Sequence, residues 1–462
     1  MKIYLCIFVF ALIFIAHSRA QNKSYVPYDK MHYTISPTER AFLDTLQFRT
    51  FQYFIKEMNP DNGLVKDRST ENSPSSIAAA GFAIPIWSIG AEKGWISKKN
   101  AAGYTLALLK FLWNSEQSLD PLATGYGGFY YHFLDMKTGK RFWNCELSSI
   151  DSGILYCGII FARQYFKGDS EEEREIRNLS DSLLNRVDWS FFTLPDTGKY
   201  AGTISLGWKN DEGLNKLGWW GYTEALFLYI VSAGMNYPHA EKGYQSWLNF
   251  YQWREPYDKS LGHIVFPSMF IHQYSFIWLD MRGVVDGYVK DKGIDYFENS
   301  RRAAYVQREY AIHNPNEWAG YDSLTWGLSA CDGPGSKYNS DLRTYWDYSA
   351  RGTSGPDSTF DDGTIAPTAA GGSIPFAPEI AIPTLMNMSG KYGPLGLTGK
   401  YGFVDSFNPT LGWFDSDYLG IDQGPIVLMI ENYLSGFVWN YFMKDPIVQK
   451  GLKRLGFEKI KK

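Results

Sequence analysis

A chain of 462 residues with 45 Lys and Arg against 49 Asp and Glu carries a formal charge of −4, which provides no basic face for nucleic acid. Aromatic residues make up 17% of it, with 16 Trp and 32 Tyr, while charged residues stay at 20%; such rings fill a large core and also line sites for amphipathic ligands such as sugars. A chain of this length buries enough apolar surface to fold without covalent staples.

Residues 1–20 read as a removable export signal. Lys2 opens the segment, 3–16 is an apolar run too short to span a bilayer, and Ser18 and Ala20 suit cleavage before Gln21. Removing Lys2 and Arg19 makes the charge more negative and leaves three cysteines, Cys145, Cys157 and Cys331. An odd count argues against a disulfide framework, and no bridge is expected. The mature protein is expected to be a soluble monomer, periplasmic or secreted, with no membrane span. An N-terminal extension over 21–35 should lead into one domain over 36–462, because no low-complexity linker divides the chain.

Helical periodicity begins at 36–58, where Ser36, Pro37 and Glu39 form an N-terminal cap signature. It recurs at 74–91, 97–116, 148–166, 171–189, 220–235, 239–252, 294–311, 375–389 and 424–443, with two or three weaker helices between. Connections alternate between short Gly-rich turns and long excursions over 117–147 and 312–374. That alternation suits helix pairs arranged in a ring with long loops on one face, an all-α (α/α)6 toroid. An irregular segment as long as 312–374 is usually functional. The clearest strand signal is GGFYYHFLDMKTGKRFWNCE over 127–146, two aromatic arms around a turn at 137–140.

No metal-ligand spacing, phosphate-binding loop, dinucleotide fingerprint or serine elbow is present. No cofactor and no metal are expected. Glycosidic bond hydrolysis needs only two carboxyl groups flanking the bond, so acids in aromatic, apolar stretches carry the weight. Glu224, in WWGYTEALFLY, is placed within the first two turns of an apolar helix; a carboxyl there is raised toward the range of a general acid, or else serves the helix dipole. Glu146 and Asp151, in NCELSSIDSG, stand where the hairpin enters a helix, and Asp422, in GIDQGP, precedes another; each could instead be a cap. Asp67-Arg68 could hold sugar hydroxyls or be a weak surface pair. Asp362 lies in a DDGT turn that lets backbone approach a ligand. Trp143, Trp219, Trp220 and Tyr222 are candidate sugar platforms, or core.

The blocks GLVKDRS, SSIAAAGFAIPI, GGFYYHFLD, CELSSIDSGIL, GWWGYTEALFLYI, DGTIAPTAAGGSIPFAPE and YLGIDQGPIVLMIENY, in this order, resemble the glycoamylase-like domain of glycoside hydrolase family 144, which contains bacterial β-1,2-glucanases. The resemblance runs from about residue 36 to the end of the chain. It implies an (α/α)6 barrel, hydrolysis of β-1,2-glucan or its oligosaccharides, and inversion at the anomeric carbon. Residue by residue, it implies that Glu224 is the general acid and that Glu146, Asp151 and Asp422 are acids of the cleft. Asp415, Asp417 and Asp422 stay open as the base. A glucoamylase-like α-glucan hydrolase, a polysaccharide lyase and a non-catalytic glycan-binding protein are the rival readings.

Overall fold

The computed structural model describes residues 25–460; the export-signal segment lies outside them. Fifteen α-helices are described in this range, and the first seven are α1 (Pro37–Lys56), α2 (Ile77–Glu92), α3 (Lys98–Asn114), α4 (Ser149–Tyr165), α5 (Glu171–Asn185), α6 (Leu226–Gly234) and α7 (Ala240–Leu248). They are followed by α8 (Tyr274–Trp278), α9 (Gly287–Asp291), α10 (Tyr296–His313), α11 (Pro367–Gly371), α12 (Pro378–Tyr392), α13 (Gly420–Ser435), α14 (Phe437–Phe442) and α15 (Pro446–Arg454). The expected cap of α1 is present: Glu39 N–H donates to Ser36 Oγ at 3.2 Å, and the Glu39 carboxylate accepts from Ser36 N–H at 2.8 Å. The extension is anchored rather than loose, since Tyr28 N–H donates to Glu298 of α10 at 3.0 Å and Tyr25 packs edge-on against Tyr305.

Helices pack in pairs, α2 along α4, α3 along α5, α13 along α1 and α15 along α6, around one contiguous cluster of buried apolar side chains. The α2–α4 contact is set by glycine. A Cβ at Gly158 would lie 2.3 Å from the Gly81 carbonyl oxygen, and one at Gly81 would lie 2.7 Å from Leu155 Cα. Both helices are apolar nearly all round, which matches their central position. The three cysteines are free and buried, and no helix among the described residues is long and apolar enough to cross a membrane.

Three expectations are corrected. The helix expected at 220 begins only at Leu226; Gly221 takes φ 69° and Trp220 packs edge-on against Phe250, so 219–224 runs as an irregular approach and Glu224 sits in a turn before the helix. The helix expected over 424–443 starts earlier, at Gly420, and breaks at Gly436, whose φ of 67° ends α13. The 127–146 hairpin keeps its turn, where Gly139 N–H donates to the Asp135 carbonyl and the Asp135 carboxylate accepts from Thr138 N–H. Its first arm, however, pairs elsewhere. Phe129–Tyr131 joins Gly125–Tyr126 and Leu147–Ser148, and Gly207–Lys209 and Gly213–Leu214 extend the sheet to five strands.

The 312–374 excursion is ordered by a buried ion pair. Arg351 and Asp362 are both fully buried and meet bidentately at 2.7 and 2.8 Å. Asp362 also accepts from Trp346 N–H and Thr364 N–H, and Arg351 donates to the carbonyls of Cys331 and Trp346. Asp362 is therefore the tie of this segment and not a ligand-facing turn residue; removing one partner of such a pair leaves an uncompensated buried charge and costs about 3–5 kcal/mol.

The glycine contact makes a paired test. Gly158→Ala should destabilise by at least about 1–3 kcal/mol, lowering Tm, because backbone must move to admit the methyl. Gly103→Ala, in α3 with nothing within 4 Å of its Cβ, should leave Tm unchanged or raise it. Equal shifts for both variants in a thermal melt would contradict the close-contact account.

Candidate active site

A cavity of about 810 Å³ is lined by side chains from separate parts of the chain, among them Asp67 and Arg68, His132, Glu146, Asp151, Trp208, Trp219, Glu224, Tyr274 and Tyr348. One group of charges is built on the sheet. Ser148 caps α4, its Oγ accepting from Asp151 N–H at 3.2 Å and donating to the Asp151 carboxylate at 2.5 Å. The cap thus fixes Asp151 in the first turn, 4% exposed. His132 lies between two acids, Nδ1 at 2.9 Å from Glu146 Oε1 and Nε2 at 3.7 Å from Asp151 Oδ1, with its ring stacked on Phe133 at 4.0 Å. Burial opposes a charge on the imidazole, but Asp151 and then the hydrogen bond and charge of Glu146 outweigh it and raise the pKa to about 9. Burial likewise opposes ionisation of Glu146; the hydrogen bond from His132 outweighs it and holds the carboxyl below its usual range.

A second group lies around Arg68. The loop after α1 is bonded to the start of α13, Gly420 N–H donating to the Asp67 carbonyl and Ser69 N–H to the Tyr418 carbonyl. Arg68 donates to Asp67 at 3.3 Å and to Asp332 at 2.8 Å, with Asp417 at 3.9 Å. The pair, open as a weak surface contact or a sugar-hydroxyl clamp, is thus largely buried, and Arg68 meets three carboxylates. Asp332 comes from the long excursion, and its N–H donates to Asp405 at 2.7 Å. Asp405 and Asp422 are buried together. Burial and the charge of Asp422 push Asp405 well up, and burial pushes Asp422 to about 7. Asp415 is raised to about 7 by burial and by Asp332.

Glu224 completes the lining. Its carbonyl accepts from Ser275 Oγ at 2.6 Å, and the same hydroxyl accepts from Phe227 N–H at 3.1 Å, fixing the turn against α8. Enclosure by protein is the main reason its carboxyl rises to about 7, with the nearby Asp151 adding to the shift. Two carboxyls on one cavity are therefore pushed in opposite directions, Glu224 up and Glu146 down, so that Glu224 keeps its proton to higher pH. Environments that push acids apart in this way are how acid and base roles are assigned.

The structure brings together Glu224, Asp151, Glu146, Asp67, Arg68 and Trp219 in the cavity lining, and sets Asp422 behind its neighbour Ile421, which lines the cavity. Four expected ligand-facing residues stand elsewhere. Tyr222 is 4% exposed among Trp247, Tyr251 and His272. Trp220 packs with Tyr200 and Phe250 beneath Lys199. Trp143 is 65% exposed at φ 54°, edge-on to Phe133 outside the cavity lining, and Asp362 ties down the long segment. Adjacent aromatics alternate in direction, so spacing alone could not separate the platform from the core. Residues missed by sequence reasoning include His132, Trp208, Tyr274, Asp332, Tyr348 and Asp405. His132 had a usable signal, a single imidazole in the aromatic run FYYHFL, where it stands at the bend between two short strands. Asp332 sits in a DG turn that reads as structural, and Asp405 has no local mark.

Oxygen atoms of Asp332, Asp405 and Asp415 come within 4.8 Å of one another, an all-oxygen set of the kind a hard cation accepts. His132, Glu146 and Asp151 are equally close, but there the imidazole itself is the counter-charge.

A sequence model described as "Putative glucoamylase" matches residues 216–446. A protein of Bacteroides uniformis whose crystal structure carries the same description is 32% identical, with a TM-score of 0.78 over 93% of this chain and 99% of that one. An endo-β-1,2-glucanase from Chitinophaga pinensis, solved with sophorotriose and glucose, is 27% identical with a TM-score of 0.76, over 92% of this chain and 99% of that one. Among curated proteins, an exo β-1,2-glucooligosaccharide sophorohydrolase acting at the non-reducing end, from Parabacteroides distasonis, is 28% identical over 91% of this chain; the chain spans 58% of that relative's length. The matched half of the chain carries Glu224, Asp332, Asp405 and Asp422, and the overlap with the Bacteroides protein extends through the sheet that holds His132 and Glu146; the chain belongs to the glycoamylase family.

Proposed function

We propose that this protein is a glycoside hydrolase of family 144 that cleaves β-1,2-glucan or its oligosaccharides on an (α/α)6 toroid, after export to the periplasm or the medium. The observation that carries the proposal is a carboxyl at Glu224 raised to about 7 inside a cavity that also presents an ionised carboxylate and aromatic rings. The names of the relatives, a sophorohydrolase and an endo-β-1,2-glucanase, supply the linkage.

The chemistry follows from the protonation states. Glu224 gives its proton to the glycosidic oxygen as the bond to the anomeric carbon breaks. A water molecule attacks that carbon from the opposite face and loses its proton to an ionised carboxylate. Glu146 and Asp151 fit this second role, because His132 stands between them, whereas burial pushes Asp405 and Asp422 up, away from the range of a base. Asp67 and Arg68 present a carboxylate and a guanidinium fork to sugar hydroxyls, and Trp208, Trp219, Tyr274 and Tyr348 offer ring faces to C–H surfaces. The charges of the cavity include more acids than bases, which suits a neutral glucan better than the uronate substrate of a lyase. Trp143, held out on the rim by a left-handed backbone, fits an outer contact with a longer chain.

Glu224→Gln should retain the wild-type Tm and lose about 10²–10⁴-fold in turnover, measured as reducing-end release from β-1,2-glucan. Activity within threefold of wild type would remove Glu224 from the acid role. NMR of the first-formed product should show the α-anomer, since a single displacement at a β-linkage inverts the centre. An initial β-anomer would require a covalent intermediate.

A further inference from the structure

The His132 ring is an undivided part of the cavity wall, and no acid–base scheme built on two carboxyls alone calls for it. We propose that His132 is a positioning residue, whose ring, set between Glu146 and Asp151, is the shared counter-charge that holds the two acids side by side in the cavity wall. The inference rests on the hydrolase reading above for its catalytic consequence, but its structural content stands without it.

The geometry carries the claim. Both ring nitrogens face carboxylate oxygens, Nδ1 toward Glu146 at 2.9 Å and Nε2 toward Asp151 at 3.7 Å. A neutral imidazole that donates to Glu146 from Nδ1 would leave the Nε2 lone pair facing the Asp151 oxygen at 3.7 Å, whereas the cation presents positive charge to both acids. The Phe133 ring, 4.0 Å away and nearly parallel, fixes the imidazole plane. The other charges around the group come from every neighbouring element. Asp67 on the loop after α1 also raises the imidazole, and its own partner is Arg68. Lys209 on the 207–214 hairpin acts on Glu146 while paired with Glu212 at 3.0 Å, and Glu224 before α6 faces Asp151. Without His132, Glu146 and Asp151 would face each other with Lys209, already paired with Glu212, as a cation acting on Glu146. One of them would then take up a proton in the working pH range, as carboxyl pairs do. The contrast within the same chain is sharp: His263 and His272, buried with no acid against the ring, are pushed down to about 4 and about 3.

The test has two arms. In the wild-type enzyme carrying ¹⁵N-labelled histidine, one imidazole absent from the spectrum of His132→Gln should titrate near 9 and move down in Glu146→Gln. Titration of that imidazole near 6.5, or no change on Glu146→Gln, would overturn the proposal. In the second arm, kcat/KM is followed against pH. His132→Gln should shift the acid limb upward by about 1–3 pH units, while His132→Lys, which keeps a cation, should restore most of the wild-type limb. An unshifted limb in His132→Gln, or a pH-independent loss that His132→Lys does not relieve, would show a merely structural role. Failure of the hydrolase reading would appear instead as no release of sugar from β-1,2-glucan by the wild-type protein, with the high imidazole pKa intact.

Discussion

Like-charge crowding governs this molecule. Acids from the loop after α1, the 129–148 segment, the start of α4 and the turn before α6 converge on one cavity, with Asp332 reaching Arg68 beside it, and Arg68 and His132 stand among them as cations. In a partly desolvated setting each added carboxylate costs several kcal/mol unless it is paired or protonated. The arrangement resolves this by dividing the acids. Glu146, hydrogen-bonded to His132, is held below the usual carboxylate range, and those left over, Glu224 and the Asp405–Asp422 pair, are pushed up by burial. The split that general acid–base chemistry needs is thus a consequence of where two cations sit.

The fold matters because it fixes those positions. Gly81 and Gly158 let α2 and α4 approach at backbone contact, and α4 carries Asp151 at its capped end. The five-stranded sheet sets Glu146 beside the 207–214 hairpin, its register pairing Ser148 with Gly207. Arg351 and Asp362, neither of them in the cavity lining, hold the long excursion so that Asp332 reaches Arg68 and Tyr348 reaches the cavity. Each buried charge pair or close glycine contact is specific in geometry, so the site is supported by parts that never touch a ligand.

Much of this was legible in the sequence. Helices with strong periodicity and a clear cap, such as α1, begin where Ser36 and Glu39 place them, and three acids singled out for their apolar surroundings, Glu224, Glu146 and Asp151, do meet in one cavity. Other features depended on tertiary context. Gly221 and Gly436 are ordinary glycines in sequence, yet their positive φ values moved one helix start and split another helix. Trp219 and Trp220 are adjacent, and only packing decided that the first lines the cavity while the second covers Phe250. Asp362 read as a turn because its partner, Arg351, lies eleven positions earlier with no periodic relation to it. The Arg68 group assembles from residues 67, 332, 405 and 417, a juxtaposition no local pattern encodes, although the order of the sequence blocks already pointed to the family.

The most direct measurement is a crystal structure of Glu224→Gln with a β-1,2-linked gluco-oligosaccharide long enough to cross the cavity. The account predicts the scissile oxygen about 2.6–3.2 Å from the side chain at position 224, a water held by Glu146 or Asp151 on the opposite face of the anomeric carbon, and Arg68 on a neighbouring sugar. An oligosaccharide seated away from residue 224, or one whose anomeric carbon has neither Glu146 nor Asp151 on its far side, would contradict it.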